Sequence, residues 1–367
     1  MRIAIVTELF YPNLGGQEVR YLELGQQLVR AGHSLDVFTI RISPSHPREE
    51  VLAGVSVHRV VDGFRYRESS LIPRNPWDIL RFTLRIFRKA VGLAGFDAVI
   101  FNEWPILPAI VAPAFLAKRR IAVDWCEIRG SRFWQGVYRL MTHPEVAHVG
   151  VSDAICSTLI GSFKVPALQT KTIVSGVNVR AYKSRQAEKQ DKTIIFLGRL
   201  SPHKDPLLAI RAFRRYQLAC KGYRLHIVGD GNLLDSAKEI ARGDAGVVIH
   251  GSIDDSEKIE LLRKSTLLVL PSRREGFPRV VAEAAAAATP TLTTQYPGNG
   301  TVTVVQQYGI GWVCDPTEEA VGASMQHFAR ICDEWSQVSN LCNEVASRVF
   351  DWQQVAAKLI AFLGDRK

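Results

Sequence analysis

Apolar residues recur along the chain in two rhythms. Short runs rich in β-branched residues and bounded by turn residues predict strands. In the first half these are Arg2–Val6, Ser34–Thr39, Val55–Val60, Ala98–Phe101, Arg120–Val123 and Val146–Val151. In the second half they are Thr193–Leu197, Arg224–Val228, Val247–His250, Leu267–Leu270, Thr291–Thr294 and Gly311–Val313. Amphipathic periodicity fills the gaps and predicts helices over Gln17–Ala31, Asp78–Leu93, Pro206–Ala219 and Ser256–Lys264. Alternation on this scale means a parallel sheet covered on both faces, and it occurs twice. The expected class is α/β, with two Rossmann-like doubly wound parallel-sheet domains.

The polar stretch Lys183–Lys192 (KSRQAEKQDK) separates the halves by composition. Thr172–Asn178 already reads as the start of the second unit, which moves the expected hinge back to Ser162–Lys171. The predicted division is 1–165, 166–345 and a terminal segment 346–367. Open α/β sheets bind ligands beyond the carboxyl ends of their strands. Two such sheets facing each other would leave a cleft there, and function is expected in it.

Composition narrows the class. Of 367 residues, 47% are hydrophobic and 22% charged, which offers enough apolar surface to offset chain entropy and excludes disorder as the main state. No apolar run reaches the roughly 18–20 residues of a spanning helix; the longest candidate, Pro105–Ala117, holds three prolines. The opening MRIAIVTELF turns polar at Thr7-Glu8 and reads as a buried strand, not a signal peptide. Six scattered cysteines without a C-x-x-C pair are expected to be reduced thiols in a cytoplasmic protein. The net charge of +10 is spread evenly: residues 1–165 carry 20 basic and 15 acidic groups, and 166–367 carry 26 and 21. Such a diffuse positive field suits phosphorylated ligands, an anionic membrane surface or nucleic acid, and does not choose among them.

Three stretches carry candidate chemistry. The first strand runs into ELFYPNLGG (Glu8–Gly16) before a helix, and Gly15 and Gly16 would let backbone N–H groups approach a phosphate. The dinucleotide fingerprint G-x-G-x-x-G is absent. The second half opens with TIIFLGRLSPHKD, where Arg199 and Lys204 follow a strand's carboxyl end and are placed for a diphosphate. In PSRREGFPRVVAEAAAAATP, Glu275 lies on a loop, Gly276 permits close backbone approach, and Glu283 lies in the helix that follows. Eight residues apart, the two carboxylates could hold hydroxyls on different parts of one ligand.

The order of a G-G loop, G-R-L-x-x-x-K and E-G-F-P-x-x-x-x-E resembles the retaining glycosyltransferases of family 4, also called group 1, which have the two-domain GT-B fold. VSDAI (151–155), SGVN (175–178), VGDGN (228–232) and FDWQQVAAKLIAFL (350–363) extend the resemblance over nearly the whole chain. It implies a terminal helix crossing back onto the first domain, an acceptor-binding first domain and a donor-binding second domain. It also implies that Arg199 and Lys204 bind the donor diphosphate, that Glu275 contacts the transferred sugar, and that Glu283 holds the ribose. Gly276, Phe277, Arg279 and Val280 would offer contacts to phosphate and sugar, Gly16 would approach the phosphate, and Gly229, Gly231, Ser252 and Ile253 would line the nucleotide pocket. The donor would be a UDP- or GDP-linked sugar, the acceptor a hydroxyl, with no further cofactor.

The chain departs from the family at Asp124-Trp125-Cys126-Glu127, where a histidine is usual, at Ser175, and at Gly298-Asn299-Gly300-Thr301. Asp124 and Glu127 are candidates to face the acceptor, or else structural carboxylates. No D-x-D occurs, so no Asp-based metal site is expected for the diphosphate; cations and helix N-termini would meet its charge. His143, His148, His203 and His226 lack ligand spacing and read as structural, His203 alone lying in the phosphate loop. In Asp78–Leu93, Arg81, Arg85, Arg88 and Lys89 recur at helical spacing opposite an apolar side, which suits either an anionic bilayer or a solvated surface. The alternatives left open are a non-catalytic sugar-nucleotide-binding protein and a sugar-nucleotide epimerase; no nucleic-acid motif is present.

Overall fold

The computed structural model describes residues 1–365 except 13–14, 64–74, 89–92, 94, 117–118, 129–131 and 185–187. Lys89 and Ala90 of the basic helix, and Asn13 and Leu14 of the first glycine loop, lie outside the described residues. The chain forms two compact units. One comprises Met1–Val174 with the stretch from Val355 onward, the other Ser175–Gln354.

The first unit holds an eight-stranded sheet built from β1 (Arg2–Val6), β2 (Ser34–Arg41), β3 (Glu49–Leu52), β4 (Val55–Asp62), β5 (Ala98–Asn102), β6 (Arg120–Trp125), β7 (Val146–Gly150) and β8 (Thr170–Thr172), in the order β3-β4-β2-β1-β5-β6-β7-β8. Its central strands are apolar at successive positions because both faces are covered: Ile3, Ala4, Ile5 and Val6 are at most 1% exposed. Helix α1 (Gly16–Arg30) follows β1, and α2 (Pro76–Arg88) follows β4. The chain reverses its direction of winding between β1 and β5, so the crevice expected of an open α/β sheet lies at their carboxyl ends.

The second unit repeats the plan with β9 (Thr193–Leu197), β10 (Arg224–Val228), β11 (Val247–Gly251), β12 (Leu267–Leu270), β14 (Thr291–Thr294) and β16 (Gly311–Cys314), all parallel, in the order β11-β10-β9-β12-β14-β16. Two short strands, β13 (Arg274–Glu275) and β15 (Gly298–Asn299), pair separately. Here the reversal falls between β9 and β12. Helices α3 (Pro206–Arg215), α4 (Asp255–Lys264) and α5 (Arg279–Ala286) follow β9, β11 and β13, and α6 (Trp352–Gly364) closes the chain.

Three expectations are corrected. The units divide at 174/175 and not at 165/166, because Thr170–Thr172 adds to the first sheet beside β7, with Thr170 opposite His148. Helix α3 stops at Arg215, short of Ala219, because Gln217 takes a left-handed φ of 49°. The first sheet is not wholly parallel: β3 pairs antiparallel with β4 across a turn at Ala53-Gly54, both at positive φ. The terminal helix meets the first unit through Phe362, whose carbonyl accepts from Arg120 Nη2 at 3.4 Å.

Candidate active site

At the carboxyl edge of the second sheet, the loops after β9 and β12 flank the winding reversal. Three links lace them together. Lys204 Nζ forms an ion pair with Glu275 Oε1. Asp205 Oδ2 accepts from Arg273 Nη2 at 2.8 Å and Nε at 3.2 Å, and Arg273 N donates to the His203 carbonyl at 2.8 Å. Asp205 also caps α3, its Oδ1 accepting from Leu208 N at 3.3 Å. The buried Ser272 donates its hydroxyl to Glu275 Oε1 at 2.9 Å. Two motifs 71 residues apart in sequence thus form one constellation. Arg199 stands beside it, exposed; its carbonyl accepts from Ser201 Oγ at 3.5 Å, and its guanidinium has no hydrogen bond or ion pair among the described residues. Burial and the neighbouring Lys204 push the His203 imidazole below its ordinary pKa, so it is neutral at pH 7.

Gly229 and Gly231 owe their identity to this packing. The loop after β10 runs against the loop after β9, with Leu200 N donating to the Asp230 carbonyl at 2.8 Å. At φ of 133° and 152°, a Cβ on either glycine would lie 2.0 Å from the Gly198 carbonyl oxygen or 2.4 Å from that of Leu200. Ser252 and Ile253 lie between β11 and α4, Ser252 exposed; just upstream, His250 Nε2 meets His226 Nδ1 at 2.9 Å.

Glu283 occupies a different setting. It is only 6% exposed, on the inner face of α5. Lys258 Nζ lies 3.4 Å and Arg279 Nη2 3.8 Å from its Oε1. Burial opposes the charge on Lys258, but Glu283 and Tyr182 outweigh it and raise the ammonium's pKa. Burial and the same carboxylate raise the Tyr182 phenol. Glu283 therefore belongs to the interior of the second unit. Phe277 sets its ring 5.8 Å from Phe350, Pro278 is buried, and Gly276, Arg279 and Val280 are half-buried around the start of α5.

The first sheet's carboxyl edge carries a polar cluster that the sequence reading found only at Asp124. Asp124 is 2% exposed and ion-paired with Arg20, which is equally buried. Tyr21 donates its hydroxyl to Asp124 Oδ2 at 2.8 Å, and Arg20 Nη2 reaches the Ile173 carbonyl at 3.1 Å. Asn102 Nδ2 donates to the Tyr21 oxygen at 3.1 Å and to Glu103 Oε2 at 2.8 Å. Burial, reinforced by the Asp124 charge, drives the Glu103 carboxyl up to about 8. This closed setting favours the structural reading of Asp124. Glu127 is exposed and engaged. Gly15 precedes α1 without a side-chain cap, and the space where Gly16 would carry a Cβ is open. Asn102 and Glu103 were legible only as polar residues at the end of an apolar run, and Arg20 and Tyr21 only as members of a helix.

Known protein families match both halves of the chain. The family model described as Glycosyl transferases group 1 matches residues 180–341, and that described as Glycosyl transferase 4-like domain matches residues 15–155. An uncharacterized glycosyltransferase of Methanocaldococcus jannaschii is 23% identical over 98% of this chain and 97% of its own. Among solved structures, a sucrose-phosphate synthase from Thermosynechococcus elongatus aligns with a TM-score of 0.76 at 18% identity, covering 98% of this chain and 97% of that one. The Anabaena protein HepE in complex with UDP-glucose gives 0.75 at 16%, covering 99% of each. Both halves of the chain match, in the expected sequence and on the expected fold, and the protein belongs to the group 1 glycosyltransferases, with the GT-B fold.

Proposed function

We propose that this protein is a retaining glycosyltransferase that moves a sugar from a UDP- or GDP-linked donor to a hydroxyl acceptor without a metal. The observation that carries the reading is the Lys204–Glu275 pair, held by laced loops at the winding reversal of the second sheet. A diphosphate arriving there exchanges Lys204's carboxylate partner for phosphate oxygens, and Arg199 adds a planar fork. Glu275, released, accepts hydrogen bonds from sugar hydroxyls. Glu283, anchored by Lys258 and Arg279, holds the ribose. A relative crystallised with UDP-glucose supports a nucleotide-sugar donor.

In the proposed reaction the bond from the anomeric carbon to the leaving phosphate oxygen breaks, and a bond to the acceptor oxygen forms on the same face. The acceptor's proton passes to the leaving phosphate, and nucleoside diphosphate departs. Charge developing on that phosphate is met by Arg199 and Lys204, so their interactions tighten in the transition state. Resting of the Asp78–Leu93 helix on an anionic membrane surface belongs to the same reading.

The test is a donor screen with mass and anomeric analysis of the product, run with and without excess chelator. Transfer with retained configuration in chelator is expected; inversion, or a complete loss restored by magnesium, rejects the mechanism. Lys204→Ala should weaken donor use roughly ten- to hundredfold, the loss of a hydrogen bond to a charged group. Unchanged donor kinetics would remove Lys204 from the diphosphate.

A further inference from the structure

Helix α2 presents a feature that sugar transfer does not use. Its inner face is Asp78, Phe82, Thr83 and Ile86, all buried. Arg81, Arg85 and Arg88 recur at i, i+4 and i+7 and therefore form one ridge on the outer side, all three exposed. Under this ridge lies a cavity of about 190 Å³, lined by the three arginines and Leu84 from α2, by Val60, Val61 and Asp62 from the end of β4, and by Arg48.

The charges do not balance. Asp62 is the single carboxylate of the lining and is already engaged by Arg48 and by Arg41, the latter at 3.3 Å. Asp78 answers Arg81 at 3.5 Å. Arg85 and Arg88 have no ion-pair or hydrogen-bond partner among the described residues. Four guanidinium groups against one carboxylate leave the lining at +3. Guanidinium forks match phosphate oxygens bidentately, and several converging on a concave, solvent-open site suit a dianion better than a single carboxylate. Beside the arginine ridge, Trp77, Leu80 and Leu84 form an exposed apolar ridge on the same helix, at 71%, 37% and 56%. They would lie against the carbon skeleton attached to such a phosphate.

We propose that the cavity beneath α2 is a binding site for a phosphomonoester group, held by Arg48, Arg81, Arg85 and Arg88, and separate from the donor site of the second unit. The site asks for a discrete dianionic headgroup. A surface that merely rests on negative membrane responds to charge density alone, which separates this proposal from the membrane reading above.

The experiment uses the full chain and vesicles of matched surface charge. One set contains phosphatidic acid, whose headgroup is a phosphomonoester; the other contains phosphatidylglycerol, a phosphodiester. Glycerol 3-phosphate serves as the free source, its binding followed by calorimetry. The comparison variant is Arg85→Gln with Arg88→Gln, both exposed, with circular dichroism to verify folding. Wild type is expected to bind phosphatidic acid vesicles at least tenfold more tightly than phosphatidylglycerol vesicles, with the preference lost in the variant. Glycerol 3-phosphate binding that depends on the two arginines, without a vesicle preference, assigns the site to a soluble phosphomonoester and supports it equally. Equal binding to the two vesicle sets without glycerol 3-phosphate binding overturns the proposal and leaves only surface charge. No binding to any probe, or binding unchanged in a folded variant, also overturns it. Glycerol 3-phosphate binding abolished by Arg199→Gln and not by the Arg85/Arg88 variant would place the ligand at the donor site, again against the proposal.

Discussion

Asp124, at the end of β6, and Glu275, one loop beyond β12, are both carboxylates on the carboxyl edge of a parallel sheet. Both meet a cation from a distant part of the chain. Their surroundings differ. The side chains of Asp124 and Arg20 are each 3% exposed, and Tyr21 and the Ile173 carbonyl complete the enclosure. The side chains of Lys204 and Glu275 are 17% and 10% exposed, on loops held from outside by Asp205 and Arg273. A pair sealed among fixed partners gives up its interaction only at the cost of leaving a buried charge. A pair on scaffolded loops can exchange one anion for another. The location on the sheet edge therefore does not by itself mark a substrate contact; the exposure and replaceability of the partner does.

The largest expected effect tests the sealed end of this contrast. Arg20→Met leaves Asp124 buried without its cation, a loss of about 3–5 kcal/mol of stability. Denaturant unfolding measures it directly. A variant that unfolds at the wild-type midpoint would show that Asp124 is not held as the geometry indicates. The same substitution also separates architecture from chemistry, since a folded remnant should keep nucleotide affinity in the second unit.

Glu103 supplies the next test, through pH. Its folded-state pKa of about 8 lies above the ordinary value of 4.5. The folded chain therefore binds more protons than the unfolded chain between these values, and stability attributable to this group falls as pH rises from about 4.5 to about 8, then levels off. The charges of Asp124 and Glu127 reinforce the penalty on the ionised form, and backbone hydrogen bonds from Cys126 and Glu103 itself offset part of it. Glu103→Gln mimics the protonated acid. It should match wild type near pH 5 and be the more stable protein at pH 9. Parallel pH profiles for the two proteins would remove Glu103 from the account.

How much of this was legible in the sequence follows from the physics of each element. Central strands such as Ile3–Val6 and Leu267–Leu270 are buried on both faces, so they appear as uninterrupted apolar runs. β3 reads EEVL and alternates between exposed and half-buried, since it lies at an edge and shields one side only. It had no apolar run to betray it. In the site, Arg199, Lys204, Glu275 and Glu283 were findable because chemistry placed just after a strand leaves a local signature. Their partners were not. Lys258 is 25 residues from Glu283 and Arg20 is 104 from Asp124, and pairings over such distances are set by tertiary packing. Nothing local distinguishes Lys258 from the more exposed Lys264 of the same helix, so the interior setting of Glu283 has no local signature.

Glu283 and Glu275 sharpen the comparison within a single motif. Glu283→Gln removes a buried charge from between two cations and leaves Lys258 and Arg279 facing each other, only partly answered by Asp255, which lies 2.8 Å from Lys258. A loss of about 1–3 kcal/mol is expected, as for a buried group deprived of its partner. It should appear as a lowered thermal midpoint together with weaker nucleotide binding.

Glu275→Gln is expected to have the smallest effect on stability and the largest on turnover. The amide retains the volume and can still accept from Ser272, while Lys204 has a flexible stem and reaches water. Losing such a partly exposed pair costs about 1 kcal/mol or less. Turnover is another matter under the proposed reaction, because charge changes near the anomeric carbon make contacts there stronger in the transition state than in the ground state. The variant should bind nucleoside diphosphate at least as well as wild type, since Lys204 is no longer engaged by a carboxylate, and should turn over more slowly at saturating donor. Single-turnover kinetics alongside product-binding calorimetry separates the two effects. Weakened nucleotide binding with unchanged turnover would exchange the roles given to Glu275 and Glu283. A stability loss as large as that of Arg20→Met would instead make the Lys204–Glu275 pair a sealed structural link like the one in the first unit, and the contrast between the two sheet edges would disappear.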